Sequence, residues 1–140
     1  VEQMTAKACR KELQKIRETI GTVTEEPAVF FRIPGGEYNN EVLRTIYACG
    51  SYPVAWSVDS MDWKEYEAGE LVRQLLQSCT IRDGEILRFH GEGENTGEMV
   101  KLLHPRLKEE GYEAVTVSQM VYKDRYRMTT DGRQIPEKSK

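Results

Sequence analysis

Residues 84–117 read "GEILRFHGEGENTGEMVKLLHPRLKEEGYEAVTV". A short apolar run, Ile86, Leu87 and Phe89, ends at His90. A loop of glycine, glutamate and asparagine follows. Met99, Val100, Leu103 and Leu107 then recur at helical spacing, with Thr96 placed to cap that helix. Pro105 should kink or split it. Gly111 ends it, and "AVTV" at 114–117 reads as another strand. This strand–loop–helix–strand order is the unit of a parallel sheet.

The same alternation extends toward the amino terminus. "PVAWSV" (53–58) reads as a strand, "DSMDWKEYEAGE" as a long polar loop, and Leu71, Val72, Leu75 and Leu76 mark a helix. Before it, "AVFFR" (28–32) reads as a buried strand, "IPGG" as a turn, and Asn39 or Asn40 as the cap of a helix carrying Val42, Leu43, Ile46 and Tyr47. Ala6, Cys9, Leu13, Ile16 and Ile20 form the apolar stripe of a first helix, with Gly21 as its stop. The apolar strands do not alternate with polar residues, which fits strands covered on both faces. The expectation is an α/β chain with about four parallel strands alternating with helices. It is either a small open sheet or part of a barrel, because a full barrel needs about 200 residues or more. Residues 1–120 carry this domain, and 121–140 are a polar carboxyl-terminal extension, expected as an extra turn and a frayed tail.

Composition excludes several classes. The chain has 140 residues, a net charge of −3 and 31% charged residues, with no basic footprint for nucleic acid. No apolar run reaches the length of a membrane span. The first twenty residues are charged and helix-like rather than a signal peptide. Cys9, Cys49 and Cys79 are odd in number and widely spaced, so they read as small buried thiols, not as a disulfide framework or a zinc knuckle.

In parallel α/β folds the carboxyl ends of the strands carry the chemistry. Three loops leave such ends here: "RIPGG" with Arg32, "VDSMDW" with Asp59, Asp62 and Trp63, and "RFHGEGEN" with His90. A carboxylate beside a histidine fixes its tautomer, and such a histidine suits general-acid work. Each residue also has a plain structural role open to it. Arg32 can be a strand-end salt bridge, Asp62 a cap, Trp63 a packing residue and His90 a core histidine.

Taken together, the three segments resemble the NodB-type polysaccharide deacetylases, metal-dependent carbohydrate esterases of family four. "FFRIPGGEYNNEVLRTIYACG" resembles that family's Arg-Pro-Pro-Tyr-Gly segment and the helix behind it. "VAWSVDSMDW" resembles its Trp-Ser-x-Asp-x-x-Asp-Trp segment. "GEILRFHGEGENTGEMVKLLHPRLKEEGYEAVTVSQM" resembles its last motif, a strand ending in histidine. The resemblance covers roughly residues 5–120. It implies a partial (β/α) barrel and amide hydrolysis of an N-acetylated glycan such as peptidoglycan or a chitin-like oligomer. It implies that His90 protonates the leaving amine, Asp62 tunes His90, and Arg32 holds the catalytic-base aspartate. Trp63 would wall the acetyl-binding groove. The backbone amide after Pro34, on Gly35, would belong to the oxyanion hole, and Arg88 would stand where the acetate pocket is lined.

The departures from that pattern are as informative. The family's first motif supplies the base and a metal-binding aspartate, and its second, His-Ser/Thr-x-x-His, supplies two more ligands. Neither occurs in these residues, whose two histidines are His90 and His104. Residue 1 falls about where the helix after the second motif would begin, so the chain corresponds to the carboxyl-terminal half of such a domain. Zinc is expected only with an amino-terminal half, since hydrolysis in the family uses the metal to polarise the acetyl carbonyl and activate water. Gly35 replaces an aromatic residue, Arg88 a leucine and Gly91 a frequent aspartate. A charged Arg88 in an apolar pocket is costly unless paired or turned out. The chain on its own is therefore expected to be inactive. One alternative is a non-catalytic carbohydrate-binding or structural module derived from that fold. Another is an unrelated small α/β sheet of flavodoxin-like layout, which the lack of a phosphate-binding glycine loop disfavours. Open sheet edges imply a homo-oligomer. The family usually works outside the cytoplasm.

Overall fold

The computed structural model describes residues 6–91 and 93–137. The chain divides into two compact units, Val1–Ser57 and Val58–Lys140.

The first unit begins with α1 (Ala6–Thr24), which runs through Gly21. Strand β1 (Phe30–Arg32) leads into a tight turn at Pro34–Gly36 and then α2 (Asn40–Ala48) and β2 (Tyr52–Val54). Strands β1 and β2 pair in parallel, Phe30 with Tyr52 and Arg32 with Val54, so α2 is the crossover of a β–α–β unit. Cys9 and Leu13 of α1 pack with Ile33, Val42 and Ile46 in one apolar cluster. The expected stripe is only half used, because Ile16 and Ile20 stay exposed. Asn39 is the cap of α2: its side-chain oxygen accepts the Val42 amide at 2.9 Å.

The second unit repeats the arrangement with β3 (Val58–Asp59), α3 (Ala68–Ser78), β4 (Leu87–Arg88) and α4 (Thr96–Glu109). Strands β3 and β4 are again parallel, Val58 opposite Leu87 and Asp59 opposite Arg88. Ala68, Leu71, Val72 and Leu75 of α3 meet Met99 and Leu103 of α4 over Val58. Pro105 does not split α4. It sits on the exposed side, where water can satisfy the carbonyl that a proline nitrogen leaves free.

Four expectations are corrected. "PVAWSV" is not one strand: 52–54 pair with β1, 58–59 pair with β4, and 55–57 lie between. "AVTV" is not a strand. Ala114 and Val115 are exposed, and Thr116 instead opens a short helix, α5 (Val117–Met120), through a capping box with Gln119. A short run without a partner strand has no ladder to join, whereas the Thr–Gln cap satisfies the backbone locally. Among the described residues there is accordingly no four-stranded sheet; the parallel strands form two pairs. The described part of the carboxyl-terminal extension, 121–137, contains a hairpin in place of the expected turn and frayed tail; 138–140 lie outside the described residues. Strand β5 (Tyr126–Met128) pairs antiparallel with β6 (Gln134–Pro136) around a turn containing Asp131-Gly132, and Arg133 bonds Glu85 at 2.7 Å. Asp-Gly between two short runs is a hairpin signal.

The cap on α2 gives a direct check. Asn39→Ala should lower stability by about 1 kcal/mol in urea unfolding, and Asn39→Asp should restore most of it.

Candidate functional site

The site is built on the β3–β4 ladder. The Val58 amide donates to the Ile86 carbonyl at 3.2 Å and the Ser60 amide to the Arg88 carbonyl at 3.0 Å. Where the ladder would next need a carbonyl, the Asp62 carboxylate takes its place. The His90 amide donates to both carboxylate oxygens, at 3.1 and 3.0 Å. The same carboxylate receives the Ser60 hydroxyl at 3.1 Å, the His90 Nδ1 at 2.7 Å, the Gly91 amide at 3.4 Å and the Thr96 hydroxyl. Asp62 is only 1% exposed.

This environment decides both ionisation and tautomer. Burial pushes the Asp62 carboxyl up. The Thr96 hydroxyl, the His90 ring and the His90 and Gly91 amides act together against it and hold the carboxyl well below the usual carboxylate range. An ionised Asp62 accepts from Nδ1–H of His90, which leaves Nε2 as the nitrogen able to exchange a proton with a ligand. The His90 side chain is 31% exposed, so the pair combines a buried anchor with an accessible ring.

Thr96 and Gly93 were not singled out as site residues by the sequence. Thr96 is not the side-chain cap of α4; it is the first residue of that helix, and its hydroxyl goes to Asp62. A Cβ on Gly93 would lie 2.5 Å from the Asp62 carbonyl oxygen, so only glycine fits against this backbone. The paired glycines of "HGEG" were the available signal. Asp62 itself was open to reading as a cap, and its carboxylate does satisfy backbone amides, but those of His90 and Gly91.

The remaining candidates divide by unit. Trp63 lies edge-on to the His90 ring, with centroids 6.4 Å apart. It is 58% exposed, so it does not simply pack. Arg88 is ion-paired with Asp59, its cross-strand partner. Arg32, Pro34 and Gly35 belong to the first unit. There the Arg32 guanidinium stands 5.8 Å over the Trp56 ring, Gly36 packs against the same ring, and Gly35 adopts a left-handed conformation with φ +74°. A metal does not fit the described residues. No three histidine, cysteine or acidic side chains converge, and the Asp62 oxygens are occupied by hydrogen-bond donors.

The Asp62 cluster should be visible as a pH-dependent term in stability. The folded carboxyl has a lower pKa than the unfolded value of about 3.9. Its contribution is therefore fully present above about pH 4 and is lost as the pH falls toward the folded value. Asp62→Asn should cost about 2–4 kcal/mol at pH 7, because an amide cannot accept from all these donors. It should also flatten the decline in stability below pH 4, measured by urea unfolding at several pH values.

Comparison with known proteins places the chain. No family model matches the chain. The chain is 30% identical over 121 residues to the peptidoglycan-N-acetylglucosamine deacetylase PgdA of Listeria monocytogenes, which covers 84% of this chain and 25% of that protein. It is 32% identical over 102 residues to the peptidoglycan-N-acetylglucosamine deacetylase of Bacillus cereus, covering 69% of this chain and 46% of the relative. The chain thus spans less than half the length of either curated relative. Among solved structures, BA3943, a carbohydrate esterase family four pseudoenzyme of Bacillus anthracis, superposes with a TM-score of 0.78 at 25% identity, over 86% of this chain and 42% of that one. A mutant of BA3943 described as having restored enzymatic activity gives the same TM-score at 26% identity, covering 43% of that chain. This likeness along most of the sequence means that the chain belongs to the NodB-type polysaccharide deacetylases, carbohydrate esterase family four.

Proposed function

We propose that the chain is the histidine-bearing part of a deacetylase that hydrolyses the acetamido group of an N-acetylated glycan, with peptidoglycan or a chitin-like oligomer as substrate class. The observation that carries this reading is the contact between His90 Nδ1 and the ionised Asp62 at 2.7 Å. An amide nitrogen leaves as an amine only if it gains a proton as the C–N bond breaks. The Nε2 nitrogen of His90, once protonated, is the donor, and Asp62 holds the ring and balances its charge. Trp63 walls the acetyl groove. Arg32 steadies a base carboxylate supplied outside the described residues, and the Gly35 amide after Pro34 donates to the developing oxyanion. In this reading the two parallel strand pairs are segments of a barrel of the deacetylase type, and their open edges favour self-association. The 140 residues alone are inactive, because a base and a metal-ligand set are not among those described.

A second reading is a non-catalytic carbohydrate-binding module. The Arg88–Asp59 ion pair favours it, because it places charge at a position that lines the acetate pocket in the family. The likeness to a pseudoenzyme of the same family also supports it.

Acetate release separates the two. The chain in zinc-containing buffer should release none from N-acetylchitooligosaccharides or peptidoglycan. Fused behind the amino-terminal half of a deacetylase domain of the same family, it should release acetate, and His90→Ala should lower the rate about 10²- to 10⁴-fold. A folded, metal-loaded fusion without activity, on which glycan still binds, would favour the non-catalytic module. Activity indifferent to His90→Ala would remove His90 from the proton-transfer step.

A further inference from the structure

We propose that Lys64 selects an anionic N-acetylated glycan over a neutral one, by pairing with a carboxylate carried next to the N-acetylhexosamine. The inference rests on the glycan reading above and assigns that site a substrate preference.

Three observations meet at this residue. The Lys64 Nζ stands 5.9 Å from the centroid of the Trp63 ring, and Trp63 lies edge-on to His90 at 6.4 Å. The ammonium therefore stands at an exposed aromatic face beside the site histidine, within reach of a weak cation–π attraction. Next, none of the ion pairs among the described residues uses Lys64, although Glu65 and Glu67 lie on the same loop. The neighbouring charges are already committed: Arg88 pairs with Asp59, and Asp62 is surrounded by donors. Lys64 is the lysine whose charge remains for a ligand at the Trp63 face.

The third observation is that the loop is held in place. The Met61 amide donates to Asp59 Oδ1 at 3.0 Å, the Lys64 amide to the Met61 carbonyl at 3.0 Å and the Tyr66 amide to the Lys64 carbonyl at 2.9 Å. Asn95 Nδ2 donates to the Tyr66 carbonyl at 2.7 Å. Met61 is kept at φ +53°, a left-handed conformation that a non-glycine residue adopts at a cost. A loop tied at both ends presents Met61, Trp63 and Tyr66 to solvent. Exposed aromatic faces suit the apolar face of a sugar ring. Next to that face, an ammonium that enters no ion pair among the described residues favours a ring that carries a carboxylate.

The test uses two β-1,4 disaccharides that differ in one group. One is N,N′-diacetylchitobiose, which is neutral. The other is N-acetylglucosaminyl-N-acetylmuramic acid with its lactyl carboxylate free. The full 140-residue chain is titrated with each, following the Trp63 indole and His90 ring resonances by NMR. The anionic disaccharide should bind about three- to fivefold tighter at low salt. The preference should shrink in 0.5 M sodium chloride, at a Debye length of about 4 Å. Lys64→Gln should abolish it while leaving chitobiose affinity unchanged, and Lys64→Arg should retain it. Equal affinities, or a preference that survives in Lys64→Gln, would overturn the inference and leave the glycan reading standing. If neither disaccharide moves the Trp63 or His90 resonances, the inference falls, and acetate release by the fusion decides the glycan reading separately.

Discussion

A single buried carboxylate holds the second unit's functional end together. Asp62 sits beyond the last residue of β3, yet it continues the hydrogen-bond ladder by accepting the His90 amide with its side chain. It also fixes the His90 ring, receives the Gly91 amide, and anchors the first residue of α4 through Thr96. Removing a carboxylate so placed would leave several buried donors without partners, a cost well above that of losing one average hydrogen bond. Its burial is tolerable because donors surround the ionised form, the condition on which any buried charge survives. Fold and chemistry are coupled at this one group.

The rest of the unit serves that placement. Val58 and the apolar faces of α3 and α4 form the cluster that carries β3 and β4. The Asp59–Arg88 pair crosses between the same two strands one step before Asp62 and His90. Gly93 makes a close approach to the Asp62 backbone that a side chain would block. The first unit repeats the β–α–β device with another aromatic support, Trp56 beneath Arg32 and Gly36. Among the described residues that guanidinium enters no ion pair, and the ring beneath it orients it.

Likeness to peptidoglycan deacetylases and to a family pseudoenzyme fits a chain that keeps the Asp–His pair. The pair is a positioning device first. It fixes a tautomer and a ring direction whether or not a metal and a base stand opposite. That is why the same geometry is compatible with a working hydrolase and with a binding module. The partners of the histidine, not the histidine itself, decide between them.

What the sequence alone determined was periodic and local. Helical spacing marked all four long helices, Asn39 was legible as a cap, and apolar strand runs indicated parallel pairing. His90, Asp62 and Trp63 were identifiable because each follows a strand end. Tertiary structure decided what depends on partners. "AVTV" has the composition of a strand, but among the described residues no strand pairs with it, and it yields to a local cap at Thr116. "PVAWSV" is broken because its two ends pair with different strands. Thr96 looked like a helix cap because capping is the nearest use for a hydroxyl there; its oxygen instead meets a carboxylate 34 residues earlier in the chain. Whether a polar side chain serves its own helix or a distant group depends on what the fold brings within reach, and spacing along the chain does not encode that.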